Sequence, residues 1–288
     1  KTLNEMRAAH GLPAVTYDTS GDVYTRQAAL LGVVNHALTH TPTAQARCFT
    51  NDGLTGAQPS NLYLRWDIGE TTVSTQSALA SLLIDDGIAS LGHRRRMLSP
   101  FFGSTSYGRV DGYPIDEMRH FTGVAFSVTG GDPGSPAGSR ATDRGFVAYP
   151  DGDYPSAWFK HGVPMSFTVL ANLESAAAND ARSVSLELAS ITIRDAAGRT
   201  VEILDRATDY SGYGVPNVLQ WRAPSTETAA CYDVSVTNVI VNGARRGYNY
   251  SFRIKQSRAS VTGIYSQIFQ CQRFSANLSR SGEQYRRR

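Results

Sequence analysis

Apolar residues recur at helical spacing in three stretches of the first third of the chain. Leu3 and Met6, with Arg7, mark a helix over residues 2–9 that Gly11 and Pro13 stop. Val23, Ala28, Leu31, Val34 and Leu38 mark a longer one, capped by Ser20 or Asp22 and ended near His40, because Pro42 cannot continue it. Leu79, Leu82 and Leu83 mark a third over residues 75–84, which ends on Asp85 and Asp86 before Gly87. Residues 47–70 are rich in Asn, Asp, Gly, Thr and Pro without a sustained period, which predicts a structured loop.

After Pro100 the pattern changes to short runs of β-formers at 105–110, 121–128 and 145–149. Helices followed by strands predict an α+β fold, a sandwich of helices and sheet, for residues 1–150. At Tyr149-Pro150-Asp151-Gly152-Asp153-Tyr154-Pro155 the composition shifts and helical patterns cease, which places a domain boundary near Pro150 and predicts two separable parts. Beyond it, β-rich runs fall at 165–170, 184–194, 200–203, 218–221, 232–236 and 248–254, and Asn242-Gly243 is a strong hairpin signal. Six or seven short strands predict an immunoglobulin-like β-sandwich over residues 151–257. Residues 258–288 form a tail expected to pack on that sandwich, with the last ten residues disordered.

Composition narrows the class. A chain of 288 residues with 41% hydrophobic content fits two domains, each large enough to bury its own core. No stretch approaches the roughly 18 consecutive apolar residues of a membrane helix. Lys1 stands directly before a helical pattern, so export has to be argued from other features. The net charge is +3, and the clusters Arg94–Arg96 and Arg286–Arg288 read as solvated surface. Basic residues are not interleaved with aromatics on one face, which excludes a nucleic-acid module. Cys48, Cys231 and Cys271 make an odd count; in an exported protein this predicts one disulfide, Cys231 with Cys271, and a buried, inert thiol at Cys48.

Titratable residues gather in two places. Asp85 closes the third helix, and His93 heads a short basic turn that Pro100 ends, so an acid and an imidazole stand at facing element ends. Such a pair can bind a metal or move a proton, or it can simply satisfy hydrogen bonds. His36 and His40 stand four apart, the spacing by which two histidines share a helix face and hold a metal. The helix dipole offers a purely structural reason for both.

Together these pieces resemble the CAP superfamily, the secreted domains named after cysteine-rich secretory proteins, antigen 5 and plant pathogenesis-related proteins. Leu3-Asn4-Glu5-Met6-Arg7, then Gly11-Leu12-Pro13, then Asp18 look like its first helix and turn. Thr39-His40-Thr41-Pro42 and Gly92-His93-Arg94 look like its two cavity histidines. The resemblance covers residues 1–150 and implies an αβα sandwich, export, and a cavity that in several members holds a divalent metal between two histidines and two acids. By position His40 and His93 match the histidines and Asp85 one acid. The other acid's place is taken by Ser60 in Pro59-Ser60-Asn61-Leu62, a pattern similar to a bacterial branch of the family that also carries a β-sandwich.

The function implied is that of a secreted or cell-surface binding protein. Its cavity, lined by His40, Ser60, Asn61, Asp85 and His93, would take a small ligand or a divalent metal such as zinc on His40 and His93, with Asp85 as a further candidate. The extracellular partner is a small molecule, lipid, glycan or protein. A second reading is a metal-dependent hydrolase with Asp85 as general base. Ser60 as nucleophile lacks a Gly-x-Ser-x-Gly elbow. A third reading is a structural or adhesive module with a vestigial cavity.

Overall fold

The structure, a computed structural model, describes residues 1–68, 72–113, 118–129 and 143–256. In chain order the elements are α1 (Thr2–Ala9), β1 (Thr16–Tyr17), α2 (Asp22–Asn35), α3 (Asn51–Ala57), β2 (Ser60–Ile68), α4 (Thr75–Ile84) and α5 (Gly92–Met97). Strands β3 (Ser104–Thr105), β4 (Tyr107–Gly112), β5 (Arg119–Ser127), β6 (Phe146–Tyr149), β7 (Gly152–Pro155) and β8 (Met165–Val169) follow. The remainder is β9 (Val184–Ser185), β10 (Ser190–Asp195), β11 (Thr200–Val201), β12 (Leu204–Asp209), β13 (Val218–Arg222), β14 (Cys231–Val241) and β15 (Ala244–Lys255).

The expected αβα sandwich does not form. Strands hold 36% of the described residues and helices 24%, and the strands are spread over several sheets. Two features account for the difference. Residues 60–68, expected as part of a loop, form β2, which pairs along its whole length with β5 in the antiparallel sheet β2-β5-β4. The helices also divide between two cores instead of closing one layered domain. Ala28, Ala29 and Ala57 of α2 and α3 pack with Leu62 and Ala125 on the small sheet. Leu3, Met6, Leu79, Leu83 and Met97 of α1, α4 and α5 share one continuous core with Tyr149, Phe167 and Trp221 of the β-rich half.

Small residues let α2 lie close to its neighbours. A Cβ on Gly108 of β4 would stand 2.2 Å from the backbone nitrogen of Arg26, and one on Gly56 of α3 would stand 2.0 Å from the carbonyl oxygen of Tyr24. Neither helix nor strand can keep its place if these glycines gain a side chain. The start of α2 differs from expectation: its N-cap is Gly21 without a side-chain bond. Asp22 instead accepts hydrogen bonds from the Tyr107 amide at 3.0 Å and the Tyr17 hydroxyl at 2.5 Å, fastening α2 to β4.

The β-rich half is built from two sheets. One is antiparallel, in the order β12-β13-β8-β6; the other runs β11-β10-β14-β15-β7, with β9 on β14. Phe146 meets Tyr248 at 5.6 Å and Phe167 meets Tyr250 at 6.2 Å between ring centroids, so the two sheets face each other across aromatic side chains. Strand β7 pairs in parallel with β15, so this sheet is mixed. The Asn242-Gly243 hairpin forms as its sequence predicts, both residues having positive φ (49° and 79°).

The boundary drawn at Pro150 runs through shared structure. Strand β6 lies before it, yet pairs with β8 of the sandwich. His10, buried at the end of α1, bonds the Ala148 carbonyl at 2.7 Å and the Tyr154 hydroxyl at 3.0 Å. The arginines expected on the surface are also drawn inward. Arg94 donates to the carbonyls of Leu83, Ile84 and Pro164 and lies 3.7 Å from the Tyr149 ring centroid. Arg95 donates to Asp209 at 3.0 Å and to the carbonyls of Ser211 and Val215. Burial lowers the pKa of both guanidiniums and pushes the Tyr149 phenol up to about 12.

Cys48 is exposed and free, not buried. Cys231 opens β14; Cys271 and the whole tail 258–288 lie outside the described residues.

Candidate functional site

Helix α4 ends on Asp85, whose left-handed backbone (φ 57°, ψ 38°) turns the chain back and points a fully buried carboxylate at the start of α5. Its Oδ1 accepts a hydrogen bond from His93 Nδ1 at 2.7 Å, and its Oδ2 accepts the Arg94 amide at 3.1 Å. Asp85 therefore does two jobs: it satisfies an orphan amide in the first turn of α5 and fixes the His93 ring with Nδ1 protonated.

The second histidine is held by a helix end. The last carbonyls of α3 have no partner within the helix. Gly56 accepts the Ser60 hydroxyl at 2.6 Å, and Ala57 accepts His40 Nδ1 at 2.8 Å. Asn61 donates to the His93 carbonyl at 3.0 Å, joining the start of β2 to α5. A carbonyl only accepts, so His40 too carries its proton on Nδ1. In its neutral form each imidazole thus has Nε2 as its lone-pair nitrogen, with no partner for it among the described residues.

His40, Ser60, Asn61 and His93 line one open cleft of about 210 Å³, together with Ile88, Ser90, Arg96 and Tyr213. Asp85 stands behind His93 and is not part of the wall. His36 is not part of it either. Helix α2 ends at Asn35, His36 takes a left-handed C-cap conformation and stacks on Phe121 at 4.5 Å, and the pair His36/His40 shares no helix face.

Ile88, Ser90, Arg96 and Tyr213 of the cleft were not singled out as site residues by the sequence, and Arg96 and Tyr213 among them carry chemistry. Arg96 lay hidden within a run of three arginines that looked uniformly exposed. Tyr213 comes from the segment between β12 and β13, far along the chain, and its ring packs on Gly92, where an added Cβ would meet Tyr213 Cδ1 at 3.2 Å.

The donor set does not suit a tight divalent-metal centre. Both oxygens of Asp85 are engaged by His93 and Arg94, and the Ser60 hydroxyl is given to Gly56. Two imidazoles remain, beside the guanidinium of Arg96. Among the described residues, no three His, Cys, Asp or Glu side chains converge.

No protein-family model matches this chain, and no curated protein sequence does. The site has to be read from its own geometry. Among the described residues, no helix is long and apolar enough to cross a membrane.

Proposed function

We propose that this is an exported binding protein whose cleft at His40 and His93 takes a small ligand. One observation carries the reading: two imidazoles from different elements are each tied at Nδ1, one to Asp85 and one to Ala57, and each leaves Nε2 free at a shared cleft. Tying both rings costs conformational freedom that a purely structural histidine at an exposed position such as His40 does not require. Pre-oriented polar groups converging on a concave surface are what a ligand site needs.

Export is supported by the resemblance of the His40 and His93 motifs to the CAP superfamily, and it predicts the pairing of Cys231 with Cys271, which an oxidising compartment permits. Peptide mapping under non-reducing conditions is expected to find that pair bridged and Cys48 alkylated. A bridge to Cys48 would overturn the pairing, and three free thiols would count against export.

A second reading draws on the Asp85–His93 pair itself. A carboxylate that holds an imidazole with Nε2 outward is the arrangement of a general base, which would activate water directly, without a metal and without Ser60. Hydrolysis of an activated ester that disappears in His93→Ala would favour it.

The binding reading is tested on the full chain with ring-¹⁵N-labelled histidine. Small carboxylates, phosphates, neutral polyols and zinc are titrated in turn. The reading expects saturable shifts of both His40 and His93 with at least one class, lost in His40→Ala and in His93→Ala while the thermal transition persists. No response of either ring to any class would overturn it.

A further inference from the structure

Three arginines in a row meet three different fates. Arg94 and Arg95 spend their donors on backbone carbonyls, Ser166 and Asp209. Arg96 is half-buried at the cleft, yet among the described residues no carboxylate pairs with it and no hydrogen bond from its guanidinium is found. Its one defined contact is with Tyr213, whose ring centroid lies 5.6 Å from the guanidinium carbon, within cation–π range. A half-buried cation whose five N–H donors make no hydrogen bond to the described residues is open to a partner that brings negative charge and two acceptor oxygens.

The rest of the wall does not compete for this cation: among the described residues no Asp or Glu lines the cleft. The guanidinium is also held in place from the sandwich side. Arg95 pins the segment that carries Tyr213 by donating to Asp209, Ser211 and Val215, and an added Cβ on Gly214 would stand 2.7 Å from the Arg95 carbonyl oxygen. Gln220 adds a bond to the Ala89 carbonyl at 2.9 Å. The β-rich half therefore supplies one wall of a site whose histidines come from the other half.

We infer that the ligand of this cleft is an oxyanion, a carboxylate or a phosphate group, gripped by the Arg96 guanidinium, with Tyr213, whose ring packs against both Arg95 and Arg96, as the positioning residue. The inference rests on the binding reading above and adds the chemical class. The two oxygens of the anion accept from Arg96, and the bare Nε2 atoms of the imidazoles accept from hydroxyl or N–H groups next to it. Burial, which lowers the pKa of Arg96, is a cost that a bound anion offsets.

The test uses the full chain at constant ionic strength, with acetate and inorganic phosphate as probes and zinc as a control for the imidazole pair. The readouts are the ¹⁵N shifts of His40, His93 and the Arg96 side chain. One or both anions are expected to give a saturable shift at all three residues, and the tighter of the two names the source chemistry. Arg96→Ala is expected to weaken anion binding at least about tenfold, the scale of losing a charge-assisted bond, while Arg96→Lys retains part of it. Tyr213→Phe is expected to bind as the wild type and Tyr213→Leu more weakly. Zinc binding is expected to persist or tighten in Arg96→Ala, since a positive charge has gone. Anion affinity unchanged in both Arg96→Ala and Arg96→Lys would overturn the inference and leave the binding reading standing. Histidine shifts with zinc or a polyol but with neither anion would do the same. Silence toward every probe would overturn both.

Discussion

The carboxylate of Asp85 and the imidazole of His93 are 2.7 Å apart, eight positions apart in sequence, and only the imidazole reaches the cleft. The acid serves as the orienting partner of the histidine, a role distinct from that of a metal ligand or a general base acting on the ligand. Asp85→Asn keeps one acceptor oxygen and replaces the other by a donor, so either the His93 ring or the Arg94 amide loses its partner. The expected loss of stability is about 1–3 kcal/mol by urea unfolding, with His93 appearing as a mixture of tautomers by nitrogen NMR. An unchanged ring tautomer together with unchanged stability would mean that Asp85 does not orient it.

Arg94 reaches Leu83, Ile84, Pro164 and Ser166 while covering Tyr149. Arg94→Met leaves several buried carbonyls without a donor. A loss of roughly 3 kcal/mol or more is expected, and His93, next in the chain, is expected to shift with it. A chemical-denaturation midpoint within error of the wild type would contradict the role assigned to this contact.

Much of the architecture is legible in the sequence where local pattern decides. Helix α4 spans the predicted 75–84, and the runs at 121–128, 165–170, 218–221 and 248–254 correspond to strands. What stays hidden depends on distant partners. Strand β2 has Arg65 and Asp67 among its apolar residues and becomes a strand because β5 pairs with it. Arg94 looks like a surface residue until Pro164 and Tyr149 are brought to it. His36 falls out of the site because the chain leaves the helix one residue before it, at a left-handed turn that the apolar period does not reveal. The cleft histidines were marked by motif, but the orientation of His40 comes from the carbonyl of Ala57, a residue whose side chain carries no signal at all.

A fragment ending at residue 150 is expected to fail to fold cooperatively. It would keep β6 without β8, and His10 without Tyr154, and it would expose the part of the core that Phe167 and Trp221 cover. Circular dichroism of residues 1–150 is the check; a sharp thermal transition with native-like signal would restore the boundary near Pro150.

Acid is expected to loosen the cleft from the Tyr213 side. Burial alone would raise the Asp209 pKa, but hydrogen bonds from Ser211 and from Arg95 outweigh it and hold the carboxyl below its usual range. A depressed carboxylate pKa stabilises the fold above the unfolded value and loses that contribution as pH falls through the folded one. Stability should therefore decline below about pH 4, the unfolded aspartate value, and Asp209→Asn should flatten that part of the decline. An identical acid limb in the variant would contradict the assignment.

The central claim is that His40 and His93 present the same nitrogen to one cleft. Ring nitrogen shifts of the two residues, measured at a pH where both are neutral, test it most directly. The predicted result is that both rings carry the proton on Nδ1 and leave Nε2 bare, with the His93 pattern lost in Asp85→Asn and the His40 pattern unaffected by it. A proton on Nε2 in either ring would contradict the account, because that ring would then offer the cleft a donor in place of a lone pair.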